Sequence, residues 1–524
     1  MVNLFQGKTP HSTTLNVTIK LKMKLKFLIP FLLVGIISFA QNNSQKLDSL
    51  FNSLYTYKQI NGNVLVAENG LPIYQKSFGY SNFKTKTANN DNSGFCLASV
   101  SKVFTSTAIL QLRDKGKLKL DDFVIKFFAD FQYPEITIRH LLTHTSGLPE
   151  IEIFRKQIEA NPNKIFTNKD LLPTLENLKL PLDFKPNDKY QYTNANYILL
   201  ALLIEKISNL TFQEYLQKNI FSPAKMTSTY FQKDNLQIGN KNRVIDYDYP
   251  FLFSTELENV DSLKNYRVRM LNLSGFVGNG NIITTTNDIL KFDQELYAGK
   301  LIKQSSLKEA FTANKLNNNQ MVQTNLGGEK ASYGLGWFIL SDTSKGKIVG
   351  HTGGVPGALS ILLRNLDKKQ TVILFDNTFN KSLYKSGLNA MNILNNKPIS
   401  ISKQSLTKEY GSTLVNKDIN IAFIKFQELR DDTSHYYASE EDMNDLGLQL
   451  LYEPSFKGHI ELALEVLKQS TLLFPNSFNT YDSYGEALAK VGKKDEAIFM
   501  YRKSIKLNPE NEGGKKILEE LLKK

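Results

Sequence analysis

Ser99-Val100-Ser101-Lys102 sets a hydroxyl and an amine three residues apart. On a helix, positions i and i+3 share a face, so the two side chains can touch. A serine becomes a nucleophile when a neighbouring base takes its proton, and a lysine held neutral is such a base. The approach Phe95-Cys96-Leu97-Ala98 is apolar, and Val103, Phe104, Ala108, Leu110 and Leu112 continue a helical pattern that Arg113-Asp114-Lys115-Gly116 ends. This predicts a buried site at the start of a long amphipathic helix. The same spacing recurs at Ser81/Lys84, Ser305/Lys308, Ser344/Lys347, Ser382/Lys385 and Ser405/Lys408, in polar, lysine-rich surroundings that read as solvated surface.

A serine–lysine pair also needs a second proton carrier and donors for an oxyanion. Tyr192-Thr193-Asn194 follows the turn Lys185-Pro186-Asn187-Asp188 and opens the apolar helix Tyr197 to Ile204. A phenol there, beside an ammonium, is expected to titrate low enough to relay a proton. Tyr80-Ser81-Asn82 has the same spacing but ends a strand, with nothing helical after it. His351-Thr352-Gly353-Gly354 closes a strand pattern, and its glycines let backbone approach a substrate. An N–H from this stretch and that of Ser99 are candidate oxyanion donors. Cys96 lies in an apolar run and reads as a small buried hydrophobe. His140 and His144 are four apart but lack the accompanying pattern of a metal site, so no metal and no cofactor is expected.

These residues need a scaffold. The chain has 524 residues, 41% hydrophobic and 22% charged, which suits several packed domains. Lysine and arginine exceed aspartate and glutamate by 64 to 51, a net +13, but the lysines are scattered, so no nucleic-acid partner is implied. Met23-Lys24-Leu25-Lys26, the apolar run Phe27 to Phe39, and Ser38-Phe39-Ala40 fit a basic start, a hydrophobic core and a cleavage site. Export to the periplasm or medium is therefore expected, with residues 1–40 removed, Met23 as the true start, and a membrane association only if the signal stays uncleaved.

Asn63 to Ala67 and Leu71 to Phe78, joined through Asn69-Gly70, predict a β-hairpin. From Ser99 to about Leu296 the pattern is helices and loops. β character returns from Tyr333, with strands at Lys347 to Gly350, Leu359 to Arg364 and Gln370 to Phe375. Early and late strands bracketing a helical block predict an α+β domain over residues 46–395: one antiparallel sheet, flanking helices and an inserted helical subdomain. Past Pro398 no strand is expected. Gly458 and Gly492, Ala463 and Ala497, Ser470 and Ser504, and Pro475 and Pro509 repeat at about 34 residues, the tetratricopeptide helix–turn–helix period. Repeats are expected over 444–524, the first degenerate at Pro454, with linker and capping helices over 396–443.

In order, Ser-x-x-Lys, Tyr-x-Asn and His-x-Gly resemble the penicillin-recognising serine hydrolases, and within them the branch of class C β-lactamases, D-Ala-D-Ala carboxypeptidases and related esterases. Residues 138–149, Gly278-Asn279-Gly280 with Thr284 to Asp288, and Tyr333-Gly334-Leu335-Gly336-Trp337 are also similar to family stretches. The resemblance implies a β-lactamase/transpeptidase-like fold. It implies Ser99 as acyl-accepting nucleophile, with Lys102 and Tyr192 as bases in an order that stays open. Asn194 would hold the substrate amide or Lys102; His351, Thr352 and Gly353 would line the pocket from an edge strand. The Ser99 and Gly354 N–H groups would form the oxyanion hole. Relatives that destroy β-lactams usually carry lysine where His351 stands, a fixed charge for the antibiotic's carboxylate. A histidine near pH 7 is mostly neutral, giving a weaker, pH-dependent attraction. An esterase or D-amino-acid peptidase acting on an ester or a cell-wall-type peptide is expected, with poor β-lactam turnover. Asn187 replaces a frequent glycine, and asparagine tolerates the left-handed conformation. The alternative is a slow penicillin-fold sensor whose repeats recruit a protein or peptide. An α/β-hydrolase would need Gly-x-Ser-x-Gly, which Gly79-Tyr80-Ser81-Asn82-Phe83 does not complete.

Overall fold

The computed structural model describes residues 42–232, 242–400, 403–417, 419–453 and 458–523. The expected export segment and Pro454 lie outside them. A helix over 42–56 (α1) precedes the hairpin of β1 (Gly62–Glu68) and β2 (Leu71–Ser77). Asn69 and Gly70 both have positive φ, 52° and 79°, the conformation that a two-residue turn between twisted strands requires. Six more strands follow the helical block: β3 (Thr324–Leu326), β4 (Glu329–Tyr333), β5 (Phe338–Leu340), β6 (Ile348–Val355), β7 (Ala358–Asn365) and β8 (Gln370–Asp376). They form one sheet in the order β3-β4-β5-β6-β7-β8-β1-β2, with every pair antiparallel. β8 pairs with β1 from Gly62↔Asp376 to Glu68↔Gln370, so the two ends of the domain meet in mid-sheet. The sheet therefore has three more late strands than the sequence pattern indicated; β3, β4 and β5 are short and carry little alternation.

The two-residue period of the strands divides the core. Leu65, Ala67, Val349, Leu362, Ile373 and Phe375 pack with the helical block on one face. Val64, Val66, Ile348, Ile361, Val372 and Leu374 pack on the other, with Leu47 and Phe51 of α1 and Leu383, Leu388 and Met391 of α4 (Ser382–Leu394). α2 (Lys102–Asp114) is not amphipathic as expected. It is buried from Lys102 to Leu112 because it runs through the middle of the block, against α3 (Asn194–Ser208). Its polar positions are short hydroxyls satisfied by backbone: Thr105 donates to Gly278 O at 2.6 Å, Ser106 to Leu335 O at 2.5 Å, and Thr107 to Val103 O at 2.7 Å. The helical block also holds a small sheet, Phe95–Cys96 against Ile282–Thr284 against Tyr230–Phe231, which anchors the chain leading to Ser99.

The C-terminal region is seven helices among the described residues: α5 (Leu406–Asn416), α6 (Ile419–Asp431), α7 (Glu440–Tyr452), α8 (His459–Leu473), α9 (Phe478–Lys490), α10 (Lys494–Leu507) and α11 (Glu512–Lys523). α7/α8 and α9/α10 are two helical hairpins at the places expected for the two repeats. Their matched positions are structurally equivalent: Gly458 and Gly492 adopt φ 77° and 79°, and Ala463, Ala497, Ser470 and Ser504 are fully buried. One strand pair does occur here, Gln404–Ser405 parallel to Tyr436–Tyr437. The region is docked, not tethered. Phe253, from a loop of the α+β domain, enters the core of α5–α9, and Leu252 N–H donates to Gln449 at 2.8 Å.

Candidate active site

Ser99 stands on a 3₁₀ turn, Ala98–Ser101, that leads directly into α2. Ala98 has φ 45°, a left-handed conformation uncommon for a residue with a Cβ. Neighbours hold the turn in place. Leu97 N–H donates to Ile282 O at 2.9 Å, and Leu97 O accepts the Ser360 hydroxyl at 2.6 Å. A Cβ on Gly353 would lie 2.2 Å from Leu97 O and 3.0 Å from the Ser99 nitrogen, so only glycine lets β6 run this close to Ser99. The loop residue Asn187 adopts φ 66°, as the sequence allowed.

Lys102 is fully buried, while Ser99 and Tyr192 are partly exposed. The Lys102 amine contacts Ser99 Oγ at 3.1 Å, Asn194 Oδ1 at 2.9 Å and Asn279 O at 3.0 Å. Burial drives its pKa well below the ordinary lysine value; Glu150 opposes that shift and Arg269 adds to it. A neutral amine has two hydrogens and one lone pair. Asn194 Oδ1 and Asn279 O only accept, so they take the two hydrogens. The lone pair is left for the Ser99 hydroxyl. Asn194 Oδ1 thus holds the Lys102 amine.

Tyr192 behaves opposite to expectation. Burial pushes its phenol well above the usual value, and the adjoining Ser99 hydroxyl offsets only part of this. The ammonium that was to lower it is itself pushed toward the neutral amine, and desolvation disfavours the phenolate. The ring packs against His144 with centroids 4.2 Å apart and planes tilted by 30°, and the Lys102 amine lies 4.8 Å from its centroid. His144 and His140 each brace backbone: His144 Nδ1 accepts Thr193 N–H at 3.2 Å, and His140 Nδ1 accepts Thr137 N–H at 3.2 Å.

His351 also departs from its expected role. β6 lies inside the sheet, though β5 reaches it only at Phe338↔Gly350 and Ile339↔Val349, leaving that margin of His351–Val355 outside the ladder. The imidazole is buried, with Nδ1 2.7 Å from Thr352 O and Nε2 3.1 Å from the Tyr333 hydroxyl. Burial, then the charge of Lys102, pushes its pKa down to about 3. The neutral ring donates Nδ1–H to Thr352 O and accepts from Tyr333 at Nε2. Neither nitrogen remains for a substrate carboxylate. Thr352, Gly354 and Val355 are the accessible residues of this strand end, and Gly353 O accepts the Tyr384 hydroxyl at 2.8 Å. Cys96 is buried and its thiol pKa raised by burial, as a packing residue's would be.

Two site residues carried no assigned role in the sequence reading. Asn279, inside a flagged glycine-flanked stretch, holds Lys102 through its carbonyl. Glu150 directly follows Gly147-Leu148-Pro149. Its carboxylate accepts Asn194 N–H at 2.6 Å and Ile151 N–H at 2.9 Å, and its charge acts on Lys102.

Residues 47–390 match the beta-lactamase family and residues 478–511 a tetratricopeptide repeat. The chain is similar to penicillin-binding protein 4* of Bacillus subtilis (strain 168), 34% identical over 411 residues that cover 77% of this chain and 87% of that protein. In fold it resembles a penicillin binding protein from Bacillus halodurans, with TM-score 0.55, 23% identity, and 66% and 98% of the two chains covered. It also resembles the D-amino acid amidase from Ochrobactrum anthropi SV3, with TM-score 0.54, 20% identity, and 68% and 97% covered.

Proposed function

Because the chain belongs to the beta-lactamase family, we propose that it is an exported serine hydrolase working through an acyl-enzyme on Ser99, an esterase or D-amino-acid peptidase or amidase and not an efficient β-lactamase. One observation carries this reading: the buried Lys102 amine lies 3.1 Å from Ser99 Oγ while Asn194 Oδ1 at 2.9 Å and Asn279 O at 3.0 Å accept from it, an arrangement in which the deprotonated amine keeps its lone pair for Ser99. Lys102 takes the hydroxyl proton as Oγ attacks the substrate carbonyl. The Ser99 and Gly354 N–H groups receive the oxyanion, each such donor being worth about 3–4 kcal/mol in the transition state. Tyr192, held protonated, acts as a donor toward the leaving group, and Lys102 resupplies the proton. Water then attacks the acyl-enzyme with Lys102 again the base.

One observation favours esters or D-amino-acid peptides over β-lactams: His351 offers no charge and no unengaged nitrogen where β-lactam-destroying relatives hold a lysine. The relative at 34% identity, a penicillin-binding protein, supports a serine hydrolase of the penicillin-recognising kind, and the D-amino acid amidase shares the fold. The basic and apolar pattern over residues 23–40 supports export, and the tetratricopeptide match supports a protein or peptide contact by the C-terminal helices.

The test is a panel of p-nitrophenyl esters, D-amino-acid p-nitroanilides and nitrocefin, with covalent labelling by a fluorescent phosphonate. Labelling and ester or anilide turnover, both lost in Ser99→Ala, are expected. Absence of labelling would turn the reading toward a sensor without turnover. Nitrocefin hydrolysis as efficient as a resistance enzyme's would remove the preference against β-lactams.

A further inference from the structure

With His351 closed on its own neighbours, the cation at the site lies elsewhere. Arg269 sits on a π-helical turn, Val268–Asn272. That turn is built in: Asn272 Nδ2 donates to Pro162 O at 3.0 Å and Lys164 O at 2.7 Å, and Arg267 donates to Asn163 at 2.7 Å. Arg269 lines a small recess with Cys96, Asn279, Gly280 and Val355. Those neighbours fix where the recess lies. Cys96 leads into the Ser99 turn, the Asn279 carbonyl holds Lys102, and Val355 follows Gly354. The recess's acid, Asp246, is already paired with Arg243 at 2.6 Å. Arg269 is half-buried and has no ion pair among the described residues. Its charge is felt at both Lys102 and Cys96.

We infer that Arg269 is an anionic subsite: it receives a carboxylate carried by the acyl part of the substrate, so the hydrolase acts on carboxylated acyl groups. The inference rests on the acyl-serine reading above. A guanidinium presents a rigid fork that matches a carboxylate, and partial burial strengthens the pairing beyond that of a surface arginine.

The test uses two esters of matched length, p-nitrophenyl hexanoate and the p-nitrophenyl monoester of adipic acid, on wild type, Arg269→Ala and Arg269→Lys. Wild type is expected to favour the adipate ester in kcat/KM by about tenfold or more, the usual scale of a charge-assisted hydrogen bond. Arg269→Ala is expected to erase that ratio and Arg269→Lys to keep part of it, because a point charge pairs but does not fork. Raised salt should narrow the wild-type ratio. Phosphonate labelling of Ser99 in each variant reports that the fold and nucleophile survive. A ratio near one in wild type, or an unchanged ratio in Arg269→Ala with labelling intact, overturns the subsite and leaves the acyl-serine reading standing. No labelling and no turnover of either ester by wild type overturns that reading and the subsite with it.

Discussion

Lys102 and His351 are both nitrogen bases, both buried, and both pushed by burial toward their neutral forms. They nevertheless end in opposite states of readiness. Lys102 meets two carbonyl-type acceptors and one hydroxyl, so a neutral amine there spends its hydrogens on the acceptors and keeps its lone pair for Ser99. His351 meets one acceptor and one donor, Thr352 O and the Tyr333 hydroxyl, which satisfy both nitrogens and close the ring off. Burial makes a base neutral; the donor or acceptor character of its partners decides whether that base is usable.

The largest effect should come from removing the open base. Lys102→Met should lower kcat/KM for an active ester by roughly 10²–10⁴-fold, the range of a lost general base, while circular dichroism and melting show the fold retained. Steady-state kinetics with a p-nitrophenyl ester measures it. Next is the close approach that aligns the two regions. Gly353→Ala should cost about 1–3 kcal/mol of stability and slow Ser99 labelling, since its Cβ must displace Leu97 O from 2.2 Å. Urea unfolding and labelling rates read the two effects.

Smaller effects should separate the two bases by pH. Glu150 opposes the fall in the Lys102 pKa. Glu150→Gln should therefore shift the acid limb of kcat/KM to lower pH, because the neutral amine then persists into more acidic solution. A limb that moves to higher pH, or stays fixed, would contradict the field assigned to Glu150. His351 should show in stability, not in catalysis. Its folded pKa of about 3 lies below the unfolded value of about 6.5, so the unfolded chain binds the extra proton first. Its contribution to stability is whole above pH 6.5 and declines as pH falls toward 3. His351→Gln should flatten the fall of melting temperature across that window.

The same contrast explains how much was legible in the sequence. Ser99 and Lys102 could be read because one helical turn fixes their relation, and the hairpin because Asn69-Gly70 permits only that turn. The repeat hairpins could be read because Gly458 and Gly492 recur with Ala463 and Ala497. Partners arriving from distant chain could not. Whether His351 faces substrate or Tyr333, and whether Tyr192 sits beside an ammonium or a neutral amine, depends on what β4 and α2 bury, which no local pattern encodes. β3, β4 and β5 were missed for a related reason: strands of three to five residues owe their structure to the sheet they join. α2 looked amphipathic because threonine and serine read as polar, whereas here they serve as buried hydroxyls with backbone acceptors.

The protonation state of Lys102 is the centre of the account, and NMR of the protein labelled with ¹³C at lysine Cε measures it directly, with the Lys102 signal assigned by its loss in Lys102→Met. The expected result is a single lysine already in the neutral-amine form at pH 7.5 while the surface lysines remain ammonium. A Lys102 signal that stays ammonium at pH 7.5 and titrates with the others near pH 10.4 would contradict it.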